Sequence, residues 1–176
     1  MKEISLNVLD IAENSVKAGA ALTEISIEET ETKLSVSIKD NGCGMDEETL
    51  NRVTDPFYTT RTTRKVGLGI PLFKEAAEQT GGSFSIWSRE NVGTHTNAVF
   101  NKDHLDCMPL GDIISTVTTL IQGHPDSDFL FTHKTDKFEV SLDTRKLRIV
   151  LEDVPLNTYE VIKWIEENLN EQYLMG

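Results

Sequence analysis

Residues 4–19 read Ile4-Ser-Leu-Asn-Val-Leu-Asp-Ile-Ala-Glu-Asn-Ser-Val-Lys-Ala-Gly19. At about 100° per residue the apolar side chains of this segment fall on one broad arc, which predicts a helix over residues 4–18. Asp10, Asn14 and Lys17 fall together on the opposite side, at spacings of four and three residues. Such a group is often only a solvated helix face, so its meaning depends on the segments that follow.

Asp40 stands where an alternating segment, predicted to be the second strand of a hairpin, gives way to Asn-Gly-Cys-Gly44. A carboxylate fixed at a strand end can accept a hydrogen bond from the amino group of adenine, and guanine offers no donor at that position. Gly42 and Gly44 would let the backbone approach a base closely. A plain glycine turn after a strand is the alternative.

A second glycine pair, Gly67-Leu68-Gly69, opens a later predicted helix. Free backbone N–H groups and the dipole at a helix N-terminus attract phosphate. The polar loop before this pair has no apolar periodicity and could fold over a bound polyphosphate as a lid. Its candidate phosphate donors are Thr59, Thr60, Arg61, Arg64 and Lys65. An ordinary surface loop is the alternative.

The predicted elements occur in the order helix, hairpin, helix, loop, helix, hairpin. This order predicts an α+β fold, a two-layer α/β sandwich in which helices cover one face of the sheet. After residue 101 the pattern changes to a helix over 113–121, a hairpin over 129–132 and 138–142, and a helix that begins at a capping box of Asn157 and Glu160. We therefore divide the chain into residues 1–101 and a small α+β extension, residues 102–176.

The amino-acid composition limits the classes of molecule that this protein is expected to bind. The 17 basic and 29 acidic residues give a formal net charge of −12, and so acidic a surface repels nucleic acid. No apolar run approaches bilayer length, and the N-terminal residues lack the pattern of a signal peptide. Two cysteines are too few for a disulfide framework. These features predict a cytoplasmic protein that binds neither membranes nor nucleic acid.

Five motifs in sequence resemble the GHKL superfamily, which has the Bergerat fold and includes histidine kinases, gyrase B subunits and MutL proteins. Residues 10–20 look like its N box, Asp40-Asn-Gly-Cys-Gly44 like the first glycine box, and Asp55-Pro-Phe-Tyr-Thr-Thr60 like the F box. Gly67-Leu68-Gly69 resembles the second glycine box, and Gly93-Thr94 the third. Each motif is common, but the five within about a hundred residues are not.

The resemblance implies an ATP and Mg²⁺ site. Asn14 matches the Mg²⁺ ligand, which suits a metal that takes few protein ligands besides phosphate and water. Asp10 matches the acidic position that orients the attacking water or acceptor, where hydrolysing relatives usually carry Glu. Asp40 and Thr94 match residues at the adenine, and Lys17 a phosphate contact. The residues implied to bind the nucleotide are Asn14, Lys17, Asp40, Gly42, Gly44, Thr59, Thr60, Arg61, Arg64, Gly67, Leu68, Gly69 and Thr94.

Two functions follow from the resemblance. The first is a signal-transducing ATPase or kinase module without a phosphoacceptor-histidine domain, which hydrolyses ATP or phosphorylates a separate protein. The second is a non-catalytic ATP-sensing regulatory subunit, which binds a partner protein in a way that depends on the nucleotide bound to the subunit. Residues 102–176 are similar to parts of small ATP-binding proteins encoded beside redox-enzyme subunits, which implies a regulatory or redox-enzyme subunit as the partner.

Overall fold

The computed structural model describes residues 2–57 and 68–176. Its helices are α1 (Ile4–Lys17), α2 (Glu47–Arg52), α3 (Gly69–Glu78), α4 (Ile113–Gly123), α5 (Thr144–Leu151) and α6 (Tyr159–Met175). Its strands are β1 (Leu22–Glu29), β2 (Lys33–Asp40), β3 (Ser83–Arg89), β4 (Gly93–Asn101), β5 (Asp128–Lys134) and β6 (Glu139–Asp143).

The strands form one six-stranded sheet in the order β3-β4-β2-β1-β5-β6. Neighbouring strands are antiparallel except β1 and β5, which are parallel, with Ile25 opposite Phe131. A parallel neighbour requires a long crossover connection, and here the described residues between β1 and β5 contain three strands and three helices. The sheet is therefore mixed.

Helices α1, α3, α4 and α6 form the second layer. In that layer α1 contacts both α3 and α4, and α4 contacts α6. On the sheet, every second residue of β1 is buried beneath the helices, including Ile25 and Ile27, and β2 buries Leu34, Val36 and Ile38 in the same way. This period of two is what a strand with one covered face requires. The predicted two-layer sandwich is confirmed.

Residues 102–176 continue the same sheet and helix layer. Strand β5 pairs with β1 over seven residues, and the buried side chains of β5 and β6 join the core that contains those of β1 and β2. Phe129 and Phe131 of β5 are both at most 1% exposed. The division of the chain after residue 101 stays a prediction.

Two sequence predictions for this region need correction. Helix α6 begins at Tyr159 with Thr158 as its N-cap, so the predicted capping box of Asn157 and Glu160 does not form. The reason is a turn in which the Thr158 N–H reaches the Pro155 carbonyl, after which the Ile162 N–H bonds to the Thr158 carbonyl as the first helical hydrogen bond. Helix α5 has no counterpart among the predicted elements. None of the helices within residues 2–57 and 68–176 combines the length and the apolar character that a membrane span needs.

Candidate functional site

A cavity of about 640 Å³ opens between α1, the end of β2, the loop after it and the start of α3. Its volume lies in the range of small-molecule sites. Several of its walls are apolar, and among the apolar side chains that line it are Ile11, Ala18, Ile38, Met45, Val53 and Ile70. Its polar groups include Asn14, Ser15, Lys17, Asp40, Thr49, Thr94 and Thr96.

Asp40 is held in place by two donors. Its Oδ2 accepts a hydrogen bond of 2.7 Å from the Ser15 hydroxyl on α1, and its Oδ1 accepts one of 2.8 Å from the Gly42 backbone N–H. A carboxylate has about four acceptor positions, so the half-buried Asp40 still has acceptor capacity that faces the cavity. Gly42 itself is buried behind Asp40, where a Cβ would lie 2.9 Å from the Cβ of Ala18.

The loop after β2 packs against the β3–β4 hairpin through glycines. Gly44 has a φ of +68°, and a side chain there would collide with the carbonyl oxygen of Arg89. Gly93 has a φ of +141°, and a side chain there would collide with the carbonyl oxygen of Asp40. Two backbones approach each other at both places, so both positions need glycine. The first and third glycine boxes of the sequence therefore meet at this cavity.

Ser88 connects these segments. Its hydroxyl oxygen accepts a 2.8 Å hydrogen bond from the Met45 backbone N–H, donates to the Gly93 carbonyl at 3.0 Å, and lies 2.8 Å from the Thr94 hydroxyl. Thr94 lies directly opposite Asp40 in the pairing of β2 with β4. The acid at the end of β2 and the hydroxyl at the start of β4 therefore share one wall of the cavity.

The polar side of α1 faces the start of α3. Asn14 and Lys17 are exposed and line the cavity. Asp10 is half-buried, and its Cβ lies 3.4 Å from where a Cβ on Gly69 would be. Burial raises the pKa of Asp10 above its ordinary 3.8; the charge of Lys17 partly offsets that rise, and the charge of Glu13 adds to it.

The predicted site residues separate into three groups. Those that line the cavity are Asn14, Lys17, Asp40, Gly44, Gly69 and Thr94. Those in described segments that are not among its lining residues are Asp10, Gly42 and Leu68, of which Leu68 is 43% exposed at the start of α3. Thr59, Thr60, Arg61, Arg64, Lys65 and Gly67, and with them the predicted lid, lie outside the described residues.

Sequence reasoning missed Ser15 and Ser88. Ser15 lies next to Asn14, but the partner that gives its hydroxyl a role is 25 residues away in Asp40. Ser88 sits in a strand that contains two other serines, and it bonds to Met45, 43 residues away. Neither contact has a local sequence signal, because each depends on how the segments come together in space.

The described residues suit a magnesium ion that takes few protein ligands and is bound mainly by phosphate and water. No group of three or more His, Cys, Asp or Glu side chains capable of holding a metal occurs in residues 2–57 and 68–176. Asn14 presents an exposed amide to the cavity instead, and Mg²⁺ in nucleotide sites commonly takes one or two protein oxygens together with phosphate oxygens and water. The donor set fits an ion that arrives with a polyphosphate.

Comparison with known protein families gives a match to the N-terminal part of the chain. The model of the family described as "Histidine kinase-, DNA gyrase B-, and HSP90-like ATPase" matches residues 2–104. The chain is 37% identical over 95 residues to the sensor histidine kinase YvrG of Bacillus subtilis (strain 168), a match that covers 51% of this chain and 16% of that one. A putative sensor protein of Shewanella frigidimarina (strain NCIMB 400) is 32% identical over 101 residues, which are 57% of this chain and 15% of that one. The chain therefore spans about a sixth of the length of these relatives.

Among solved structures, the fold resembles the Aquifex aeolicus MutL ATPase domain complexed with ADP. The TM-score is 0.55 and the sequence identity 14%, with 86% of this chain and 70% of that chain covered. At this identity the likeness concerns the fold alone. It extends over more of the chain than the family match does.

Proposed function

Because the chain belongs to the family of histidine kinase-, DNA gyrase B- and HSP90-like ATPases, we propose that its cavity binds ATP together with Mg²⁺. The observation that carries this proposal is the setting of Asp40. The acid is fixed by Ser15 and Gly42, lies opposite Thr94, and faces a cavity with apolar walls. A carboxylate in such a setting accepts hydrogen bonds and donates none, which suits the amino group of adenine and not the carbonyl oxygen of guanine.

The adenine ring would lie in a mostly apolar environment beside Asp40. Ile11, Ile38 and Ile70 line the cavity and offer apolar contacts to a flat ring. Ser15 donates to Asp40, and this contact leaves the carboxylate oriented as an acceptor. A mostly apolar cavity with a few fixed polar groups is the common form of a small-molecule site.

The phosphates would lie near the polar side of α1 and the start of α3. Asn14 would hold Mg²⁺, Lys17 would contact phosphate, and the N-terminus of α3 at Gly69 would add the favourable end of a helix dipole. When bound, the metal supplies charge that neutralises the phosphate oxygens. We further propose that Thr59, Thr60, Arg61, Arg64 and Gly67 contribute to the same site.

Two uses of the bound ATP are proposed. In the first, Asp10 orients a water molecule or a hydroxyl group of a separate protein, and the protein acts as an ATPase or kinase in signal transduction. In the second, the protein senses ATP and holds a regulatory or redox-enzyme subunit without chemistry. One observation favours the second: Asp10 is not among the described residues that line the cavity. The cytoplasmic location stays a prediction.

Calorimetric titration of the full chain tests the site. The parent should bind ATP more tightly than GTP, and its affinity for ATP should increase with Mg²⁺. Asp40→Ala should weaken ATP binding by about 1–2 kcal/mol, the cost of leaving a buried polar contact unpaired. The matched variant Asp40→Asn keeps the shape of the side chain but presents an amide donor, so it should reduce the preference for ATP over GTP. Asn14→Ala should remove the dependence on Mg²⁺ while binding without metal persists.

Two results would reject this assignment: equal affinity of the parent for ATP and GTP, or unchanged ATP affinity in Asp40→Ala. Phosphate release by the parent, compared with Asp10→Asn, then separates the two uses of ATP. Release that is lost in Asp10→Asn supports the enzyme. Nucleotide-dependent capture of a partner with no phosphate release supports the sensing subunit.

A further inference from the structure

The helix that carries Asp10, Asn14 and Lys17 is held at its N-terminus by the C-terminal part of the chain. The Glu3 side chain makes no capping hydrogen bond to α1. Instead, the N–H groups of Ile4 and Ser5 donate to the carbonyls of Pro109 and Leu110, at 3.0 and 2.8 Å. The first N–H groups of a helix lack partners within the helix, so this loop takes the place of a cap.

A second contact joins α1 to the side of α4. The hydroxyl of Thr116 donates to the Ser5 carbonyl at 3.0 Å, and Thr116 is 3% exposed. Two residues later, Thr118 is also buried, but among the described residues its hydroxyl bonds only to carbonyls of α4 itself, those of Ile114 and Ser115. The same side-chain group thus links two helices at one position and stays within one helix at the other.

A third contact lies two turns further along α1. His124 caps the C-terminus of α4, and its Nε2 lies 2.8 Å from Oε2 of Glu13. Glu13 directly precedes Asn14 and lies one turn after Asp10. A contact at Glu13 therefore restrains the rotation of the part of α1 that presents Asn14 to the cavity.

We infer that Thr116 and His124 are positioning residues for the nucleotide site, acting through Ser5 and Glu13 on α1. The inference rests on the proposed function, since it concerns the same site. Both residues belong to α4 and its cap, which lie beyond residues 2–104 that match the family. The three contacts fix the axial position and the rotation of α1 relative to β2, which carries Asp40. The C-terminal part of the chain thereby sets the distance between the metal-binding side and the adenine-binding side of the cavity.

This arrangement predicts a larger effect on the gain in affinity that Mg²⁺ produces than on the recognition of adenine. Adenine recognition depends on Asp40 of β2, which accepts one hydrogen bond from the Ser15 hydroxyl of α1 and one from the Gly42 N–H. Only the first of these two contacts involves α1. The component that Mg²⁺ adds depends on where α1 holds Asn14. Loss of a contact from α4 should therefore reduce the gain in affinity that Mg²⁺ produces by a larger factor than it weakens binding without metal.

The test uses the full chain and a non-hydrolysable ATP analogue, titrated with Mg²⁺ and with a chelator. Thr116→Val should reduce the Mg²⁺-dependent gain in affinity roughly threefold to tenfold, the range that corresponds to one hydrogen bond. Thr116→Ser keeps the hydroxyl and should restore the gain. Thr118→Val removes a buried hydroxyl of the same helix and should keep the gain, whatever it does to the unfolding temperature. Where Thr116→Val does not fold, His124→Ala should reduce the gain and His124→Gln, which keeps a donor, should retain it.

The outcomes are distinguishable. A parent protein that binds no nucleotide would overturn the proposed function, and the inference with it. A parent that binds the analogue with a clear Mg²⁺ gain, together with Thr116→Val and His124→Ala proteins that keep this gain, would overturn the inference alone. A lower unfolding temperature in Thr116→Val without a change in the gain would make the contact purely structural.

Discussion

Asp10 is the residue where the stability of the fold and the proposed chemistry of the site conflict. Its carboxyl is half-buried against the start of α3, and burial raises its pKa, partly offset by Lys17 and reinforced by Glu13. A raised pKa means that the folded protein binds the proton more readily than the unfolded chain does. The ionised form that would orient a nucleophile therefore destabilises the fold, as charged groups at functional sites often do.

Asp10→Asn should consequently stabilise the protein at pH 7. The sign follows from the raised pKa: the favourable contribution of the neutral acid is fully present below its ordinary pKa of 3.8 and is lost as the pH rises through the folded-state pKa. The amide keeps the shape and cannot ionise, so the gain should be present at pH 7 and should shrink as the pH falls toward 3.8. Thermal unfolding followed by circular dichroism measures this.

The control for Asp10→Asn is Glu167→Gln, which removes one negative charge from an exposed position of α6. It accounts for the general benefit of lowering a net charge of −12. If both variants raise the unfolding temperature equally, the cost of burying Asp10 has no part in the effect.

The residues of the candidate site also differ in how readily they can be identified from the sequence. Asn14, Lys17 and Asp40 could be singled out because each lies in a local pattern, a helix side or a strand end followed by glycines. All three line the cavity. Ser15 and Ser88 could not be found, since serine has many roles and their partners are distant in the chain.

At the scale of elements, the glycine segments decide how closely the loop after β2 approaches the β3–β4 hairpin. The carbonyl of Arg89, at the end of β3, occupies the space that a side chain on Gly44 would need. The Asn91 N–H also donates to the Cys43 carbonyl at 2.7 Å, so loop and hairpin are joined by a backbone hydrogen bond beside the clash point. The cavity wall formed by this loop depends on that close contact.

Gly44→Ala should therefore cost more than Gly19→Ala. Both glycines have positive φ, at +68° and +79°, but a Cβ on Gly19 would meet nothing within 4 Å. Gly19→Ala should lower the free energy of unfolding by about 1–2 kcal/mol, which is the cost of a positive φ for a residue with a Cβ. Gly44→Ala adds a collision with backbone, which must move the loop, so its loss in the free energy of unfolding should be larger. Urea denaturation of the two variants measures the difference, and equal losses would contradict the close contact.

The elements themselves were predictable to differing degrees. Helix α1 and the strands β1 and β2 follow directly from periods of 3.6 and 2 in the sequence, because each buries one face. Helix α5 was not predictable, since Thr144 is its one fully buried residue and Ile149 and Val150 are about 80% exposed. The parallel pairing of β5 with β1 was not predictable either. It joins segments about a hundred residues apart, and nothing local specifies which strand is the neighbour.

At the scale of the whole molecule, a polar cluster joins β1 to β5 and α6 at the end of the strands opposite to Asp40. Glu29 at the end of β1 accepts hydrogen bonds from Lys102 at 3.0 Å and from His133 of β5 at 2.7 Å. The other ring nitrogen of His133 lies 2.7 Å from the Tyr173 hydroxyl on α6, and both rings make edge contacts with Phe138. Burial raises the pKa of Tyr173 far above its ordinary value, and the charge of Glu29 adds to this, so its hydroxyl stays neutral at physiological pH.

Glu29 should make the stability of the fold depend on pH. Burial alone would raise its pKa, but the hydrogen bonds from Lys102 and His133 outweigh burial and lower the pKa below the ordinary 4.5. A lowered pKa means that the unfolded chain takes up the proton first. The contribution of Glu29 to the free energy of unfolding is thus fully present above pH 4.5 and is lost as the pH falls through the folded-state pKa.

Glu29→Gln should therefore lower the free energy of unfolding by about 1 kcal/mol at pH 7, the scale of a charge-assisted hydrogen bond that is partly exposed. Below pH 4.5 the parent should lose stability faster than the variant, so that the two curves converge, because the glutamine has no proton to take up. Urea unfolding at a series of pH values from 7 to 3.5 measures both effects.

Glu28→Gln is the matched control, since Glu28 is the neighbouring residue on β1, is exposed and points to the opposite face of the sheet. The free energy of unfolding of Glu28→Gln, plotted against pH, should run parallel to that of the parent. If the Glu29→Gln curve also runs parallel to that of the parent, the cluster does not link β1 to β5 and α6 through the charge of Glu29.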